Sequence, residues 1–231
     1  MEKKFRLLEN DAIIIGGITL YRIEALKDFG NIKKGDKGGY IAYETNLSQK
    51  GNCWVAKNAK VCGFARVHDN AQVLDYARVF GNACLRDNAL IYGDAMVFDN
   101  AKVFENARVY GNAQITDNAI VHGSAQVYGY ALVYDNSQVF ENARIYENAW
   151  MFGSAFACGN ASVFGYAHIY NEAQVYDNAQ VCGNAQVYGN AKVCGNALLN
   201  SGNVKRGIIN NKKGALTCSF LCLTIFLLKK C

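Results

Sequence analysis

The chain contains no proline. Proline cannot donate to a backbone ladder and is kept out of sheet interiors. Its absence from 231 residues therefore fits continuous backbone pairing. Histidine is scarce, with three residues, so few side chains are poised for proton transfer near neutral pH. No N-terminal leader is expected, because Met1-Glu2-Lys3-Lys4 precedes neither a clean apolar run nor a small-residue cleavage site. The longest apolar stretch, 215–228, falls short of the roughly 17–25 residues a helical span needs. Nucleophile elbows, phosphate-binding loops and paired carboxylates are missing. The nine cysteines show no metal spacing, and Cys218 and Cys222 alone make no site, so no metal is expected.

What is present is one six-residue phrase, repeated without a break. It reads aliphatic, variable, Gly/Asp/Glu, Asn, Ala, variable, as in Val187-Tyr188-Gly189-Asn190-Ala191-Lys192. From Val55 to Leu198 there are 24 such hexads with no insertion or deletion. The first position is Val in 17, Ile in four, and Leu85, Met151 and Ala157 in the others. The fifth is Ala in 23 and Ser137 in one. A period of six would spiral an apolar stripe around an α-helix. In a strand, alternate side chains share a side, so Ala-x-Val-x makes a short strand with Ala and Val inward. Gly/Asp/Glu-Asn makes the corner, where φ > 0 is tolerated. The corner acids are expected to point to solvent. Stacked coils of this kind are solenoids.

These residues resemble the hexapeptide repeat of left-handed parallel β-helices. The resemblance implies an all-β, single-stranded, triangular left-handed β-helix with three hexads per 18-residue coil, hence about eight coils. A period of six excludes pentapeptide repeats. The segment before the hexads holds Leu20-Tyr21-Arg22-Ile23-Glu24, Gly35-Asp36-Lys37-Gly38-Gly39-Tyr40-Ile41 and Gly51-Asn52-Cys53-Trp54. With the Asn-Ala hexads it resembles phage and prophage-encoded β-solenoid proteins, some labelled acyltransferases on fold alone. The expected organisation is an N-terminal β-rich cap over 1–54, the β-helix over 55–204, and a basic, apolar tail over 205–231.

Charge is unevenly placed. Residues 55–198 carry nine basic and 12 acidic side chains, whereas 199–231 carry six basic and none acidic. The positive balance thus belongs to the tail. Lys60, Arg66, Arg78, Lys102, Arg108, Arg144 and Lys192 are scattered over all faces, so no nucleic-acid groove is expected. Cys62, Cys158, Cys182 and Cys194 replace aromatics at the second hexad position, as apolar surface residues of a reduced, cytoplasmic protein. The stretch 215–228 is read as a C-terminal cap, with peripheral membrane contact as the alternative.

Positions 18 residues apart form columns with one rung per coil. One column reads Tyr92, Tyr110, Tyr128, Tyr146, Phe164; a second reads Phe80, Phe98, Thr116, Tyr134, Phe152, Tyr170, Tyr188. The third reads His68, Arg86, Phe104, His122, Phe140, Cys158, Tyr176, Cys194. Rings about 4.8 Å apart can stack. The first two columns are the candidate interface, for homo-oligomerisation, a protein partner or a planar ligand such as a nucleotide. No cofactor is expected on this reading. The acyltransferase alternative would use CoA, with His122 as general base.

Overall fold

The computed structural model describes residues 2–210; the segment 215–228 and Cys218 and Cys222 lie outside them. The protein is an all-β parallel β-solenoid. Each hexad contributes a two-residue strand whose second member points inward and is fully buried, as in Gln126–Val127 and Leu132–Val133. Strands stack in register with the residue 18 positions on, for example Gln126 on Arg144 and Leu132 on Trp150. Three flat faces result. The first carries Trp54–Val55 through Leu198–Leu199, the second Lys60–Val61 through Asn203–Val204, and the third Arg66–Val67 through Ile208–Asn210. The first edge joins faces one and two, the second edge faces two and three, and the third edge closes the coil.

The stack is longer than eight coils because it starts before Val55. Strand β1 (Phe5–Ile15) and β2 (Ile18–Ala25) form an antiparallel hairpin, and β2 pairs antiparallel with β3 (Lys37–Ile41). β3 is already a parallel rung of the second face, with Tyr40 on Lys60 and Ile41 on Val61. The second sheet has 12 strands including β1 and β2, so about ten parallel turns are stacked. At the far end the offset tightens: Gln186 pairs with Asn203 and Lys192 with Ile208.

The Ala and Val columns, with Ile, Leu and Met substitutes, form one continuous core at essentially zero exposure. Burial of a Val side chain contributes about 1.5–3 kcal/mol, and the same contact recurs at every rung. Exceptions compensate locally. The turn that takes Met151 in place of Val also takes Ala157 in place of Val, both fully buried. Ser137 Oγ, at an Ala position, donates to Tyr134 O at 2.7 Å. Ala157→Val with Met151 retained should cost about 1–3 kcal/mol by overpacking. Met151→Val/Ala157→Val should recover most of that loss in urea unfolding.

At the N-terminal end Phe5, Ile23, Ile41, Leu47 and Trp54 close the core. Gly38 is required there: a Cβ would lie 2.5 Å from Val55 O and 2.7 Å from Trp54 Cζ2. The hairpin's loose point is a bulge, Glu9 to Asp11, between Leu8 and Ala12. Asp11 Oδ2 from this bulge meets Arg22 Nε at 3.0 Å. Arg22 in turn donates to Gly38 O and Tyr40 Oη, fastening the hairpin to the first rung.

Candidate interaction surface

Every corner turns through a residue with positive φ at the third hexad position, from Lys57 at 54° to Gly129 at 73°. Asp and Glu occupy many of these positions, and several, such as Glu105 and Glu141, are exposed as expected while also bonding to the next coil. Their carboxylates accept the backbone N–H one coil on: Asp75 from Gly93 at 3.2 Å, Glu105 from Gly123 at 2.7 Å, Glu141 from Gly159 at 2.6 Å. The corner acids therefore satisfy the turn above them. Asparagines at the fourth position form a second ladder. On the third edge Asn142 Nδ2 donates to Asn160 Oδ1, Asn160 to Asn178 and Asn178 to Asn196. On the second edge Asn82 donates to Asn100 and Asn118 to Asn136.

The aromatic columns stack rung on rung. On the first edge Tyr92, Tyr110, Tyr128, Tyr146 and Phe164 lie with centroids 4.7–4.9 Å apart and planes within 5°. On the second edge Phe80 stacks on Phe98 at 4.8 Å. Thr116 interrupts, donating to Asp99 Oδ2 at 2.6 Å. Tyr134, Phe152, Tyr170 and Tyr188 then continue at 4.9–5.0 Å. Offset stacking adds about 0.5–1.5 kcal/mol per pair beyond area burial. The rings cover one another and end up half-buried. Centroid spacings below 5.0 Å within the first-edge ladder leave no gap for a planar guest between its rungs.

Desolvation by burial raises the pKa of Tyr92, Tyr110, Tyr128 and Tyr146 above the ordinary 10.0; phenols or carboxylates add to it at Tyr92, Tyr128 and Tyr146, and Arg108 or Arg144 opposes it at all four. A raised folded-state pKa favours the neutral phenol. The resulting stability is present below pH 10 and is lost as pH rises through the folded-state values. Thermal stability should therefore fall on the alkaline side of pH 10. Tyr110→Phe/Tyr128→Phe should fall less steeply; an identical alkaline limb would contradict this.

The third column mixes chemistries. The Arg86 guanidinium lies 4.4 Å above the Phe104 ring. His122 is sandwiched between Phe104 at 4.9 Å and Phe140 at 5.2 Å. His122 Nδ1 sits 3.5 Å from Glu105 Oε2, the carboxylate that also holds Gly123 N–H. Both ring faces are thus occupied, and only an imidazole edge is open. His68 is separated from it by Arg86 and Phe104, and burial lowers the His68 pKa. His168 lies on the second face, stacked on Trp150 at 5.1 Å. The three histidines do not converge. From Val55 to Leu198 the 18-residue register leaves no loop projecting from the coils to enclose a substrate.

The aromatic side chains most open to solvent lie elsewhere, and the sequence reading passed over them. Phe64, Tyr76, Tyr130 and Tyr166 occupy fourth positions, where Asn is usual, and are 79%, 55%, 66% and 63% exposed. Phe64 lies on the second edge; the three tyrosines fall on the first edge, whose fourth-position column reads Asn58, Tyr76, Asp94, Asn112, Tyr130, Asn148, Tyr166, Asn184. No two asparagines are adjacent, so no asparagine ladder can form there. Beside this edge, on the second face, Trp150 is 42% exposed. The available signal was the fourth-position column read at 18-residue spacing. Isoleucines 14, 15 and 18 also stand exposed at the tip of the β1–β2 hairpin.

Among the described residues no group of three or more His, Cys, Asp or Glu is placed to hold a metal ion. No helix among them is long and apolar enough to cross a membrane. A family model described as YdcK Beta solenoid repeat matches residues 106–124 and 179–195, both within the hexads. No curated protein matches the chain.

Proposed function

We propose that this β-solenoid is a non-enzymatic scaffold that binds through aromatic surface, to another copy of itself or to a partner, and that it is encoded by a phage or prophage. The observation that carries the binding role is the contrast between a regular body and its exceptions. The loop-free coils supply a stiff prism with flat faces. Three exposed tyrosines interrupt the asparagine column of the first edge, where they serve no ladder, and Phe64 does so once on the second edge. Tyrosine and tryptophan gathered on exposed surface are typical of recognition surfaces. The phage origin rests on the resemblance of the first 54 residues and the Asn-Ala hexads. Cytoplasmic residence is part of the same reading and rests on the sequence.

The acyltransferase alternative has one observation in its favour, the His122–Glu105 contact, since a carboxylate on Nδ1 orients a general base. Against it, both faces of that imidazole are stacked and no loop encloses its open edge. The deciding experiment incubates the full chain with acetyl-CoA and a panel of amine and hydroxyl acceptors. The scaffold reading predicts no turnover above the uncatalysed rate. Acyl transfer that disappears in His122→Ala, with the fold intact by circular dichroism, would replace it.

A further inference from the structure

We propose that the chain pairs with a second copy of itself in an antiparallel two-fold dimer, through the second face and first edge, with the rung of Trp150 on the axis. This rests on the scaffold reading and gives that scaffold its partner. Consider two prisms packed face to face about a two-fold axis that lies in the contact plane, parallel to the strands. The operation reverses the solenoid axis and preserves the strand direction. Each edge then meets its own copy, and a rung above the centre meets the rung equally far below it. Such an isologous contact requires a surface that reads alike in both directions.

The side chains of this region have that property. Around Asn148 the fourth-position column reads Tyr130 one rung below and Tyr166 one rung above. Two rungs out it has Asn112 on one side and Asn184 on the other. The corner glycines follow the same order, with Gly129 and Gly165 flanking Glu147. On the second face Trp150 is flanked by Leu132 and His168, and beyond them by Gln114 and Gln186. The operation thus sets Tyr130 against Tyr166 of the other copy on both sides of the axis, and Trp150 against Trp150.

Charge permits the contact. Within these five rungs the first-edge corner and the face contain one carboxylate, Glu147; it faces its own copy across the axis, with its charge engaged by Gly165 N–H at 2.9 Å. Lys60 and Arg78, the basic residues of the second face, lie four or more rungs below Trp150. Their mates would fall beyond the Asn203–Val204 rung, so neither cation meets a like charge. Tyr76 is four rungs from the centre of its column and stays outside the contact. Five rungs span about 24 Å. One face and edge of that length offers roughly 400–500 Å² per partner, the low end for specific association. The dimer is therefore reversible and micromolar.

Sedimentation velocity of the full chain from about 1 to 100 µM, bracketing a micromolar dissociation constant, should show a monomer–dimer equilibrium. Trp150→Glu should weaken it by about 30-fold or more, as loss of a central hot spot does, with an unchanged circular dichroism spectrum. Register is tested by paired substitution. Tyr130→Lys/Tyr166→Glu should dimerise, because opposite charges meet across the axis. Tyr130→Lys/Tyr166→Lys should remain monomeric. A dimer indifferent to Trp150→Glu, or equal behaviour of the two double variants, would overturn this surface and leave the scaffold reading standing. A parent chain that stays monomeric throughout would overturn self-pairing. His122-dependent acyl transfer by a chain that dimerises as described would overturn the scaffold reading alone.

Discussion

Val139→Asp is expected to abolish the cooperative fold, while Gln138→Asp, the adjacent residue on the same strand, should change stability by no more than about 0.5 kcal/mol. Val139 is fully buried at 0% exposure, in the middle of the Ala/Val core, and the Ser137 hydroxyl beside it already donates to Tyr134 O. An ionised carboxylate in that position meets a desolvation cost far above the 4–5 kcal/mol that marks an exceptional single substitution. Protonation lowers the cost but leaves a hydroxyl and a carbonyl unsatisfied. Gln138 stands on the opposite side of the same two-residue strand, half open to water. A solenoid transmits stability from coil to coil, so a break at this central rung should divide the stack into two weakened halves. Urea unfolding followed by circular dichroism reads the difference. Comparable losses for both variants would mean that the alternation of inward and outward positions is misassigned.

Lys4→Met is expected to destabilise the chain by about 2–4 kcal/mol and to do so from the N-terminal end. Lys4 is 1% exposed, unusual for a lysine. Its Nζ donates to Cys53 O at 2.9 Å and to Lys50 O and Gly51 O at 3.3 Å. It also lies 5.0 Å above the Phe29 ring. Burial depresses its pKa, with the Cys53 thiol acting in the opposite direction. Methionine keeps the volume but removes every donor. The carbonyls belong to the backbone and cannot be substituted away, and Cys53 O, the buried one, loses this donor. Ends of a stacked array open more readily than its middle. Hydrogen exchange should accelerate in β1 to β3 and stay unchanged near Val127 and Val139. Uniform acceleration along the chain, or none, would contradict the assignment of Lys4 as the pin of this end.

The body of the fold was legible because its cause is local and repeats. Ala at the fifth position and Val at the first place the core at every hexad, and the 18-residue columns place the aromatic stacks. What was hidden depended on neighbours one coil away. Asp75 or Glu105 reads in sequence as a solvated corner acid, and its role as acceptor for Gly93 or Gly123 exists only once coils are stacked. The first turn was hidden because its spacing departs from the period: Ile41 pairs with Val61, an offset longer than a coil. Tyr130 and Tyr166 were hidden among 24 fourth positions of which 16 are Asn. They gain meaning only as members of one edge beside Trp150. His122 reads in sequence as a candidate base, and the stacking of its ring between two phenylalanines is visible only in the coiled stack.

Native mass spectrometry of gently purified full-length chain tests the central claim most directly. A scaffold that associates through aromatic surface predicts a bare homodimer, with no added mass. A chain that instead carries the mass of CoA or a nucleotide, retained in proportion to protein, would contradict the account and place a ligand site where the present reading has a surface for another protein.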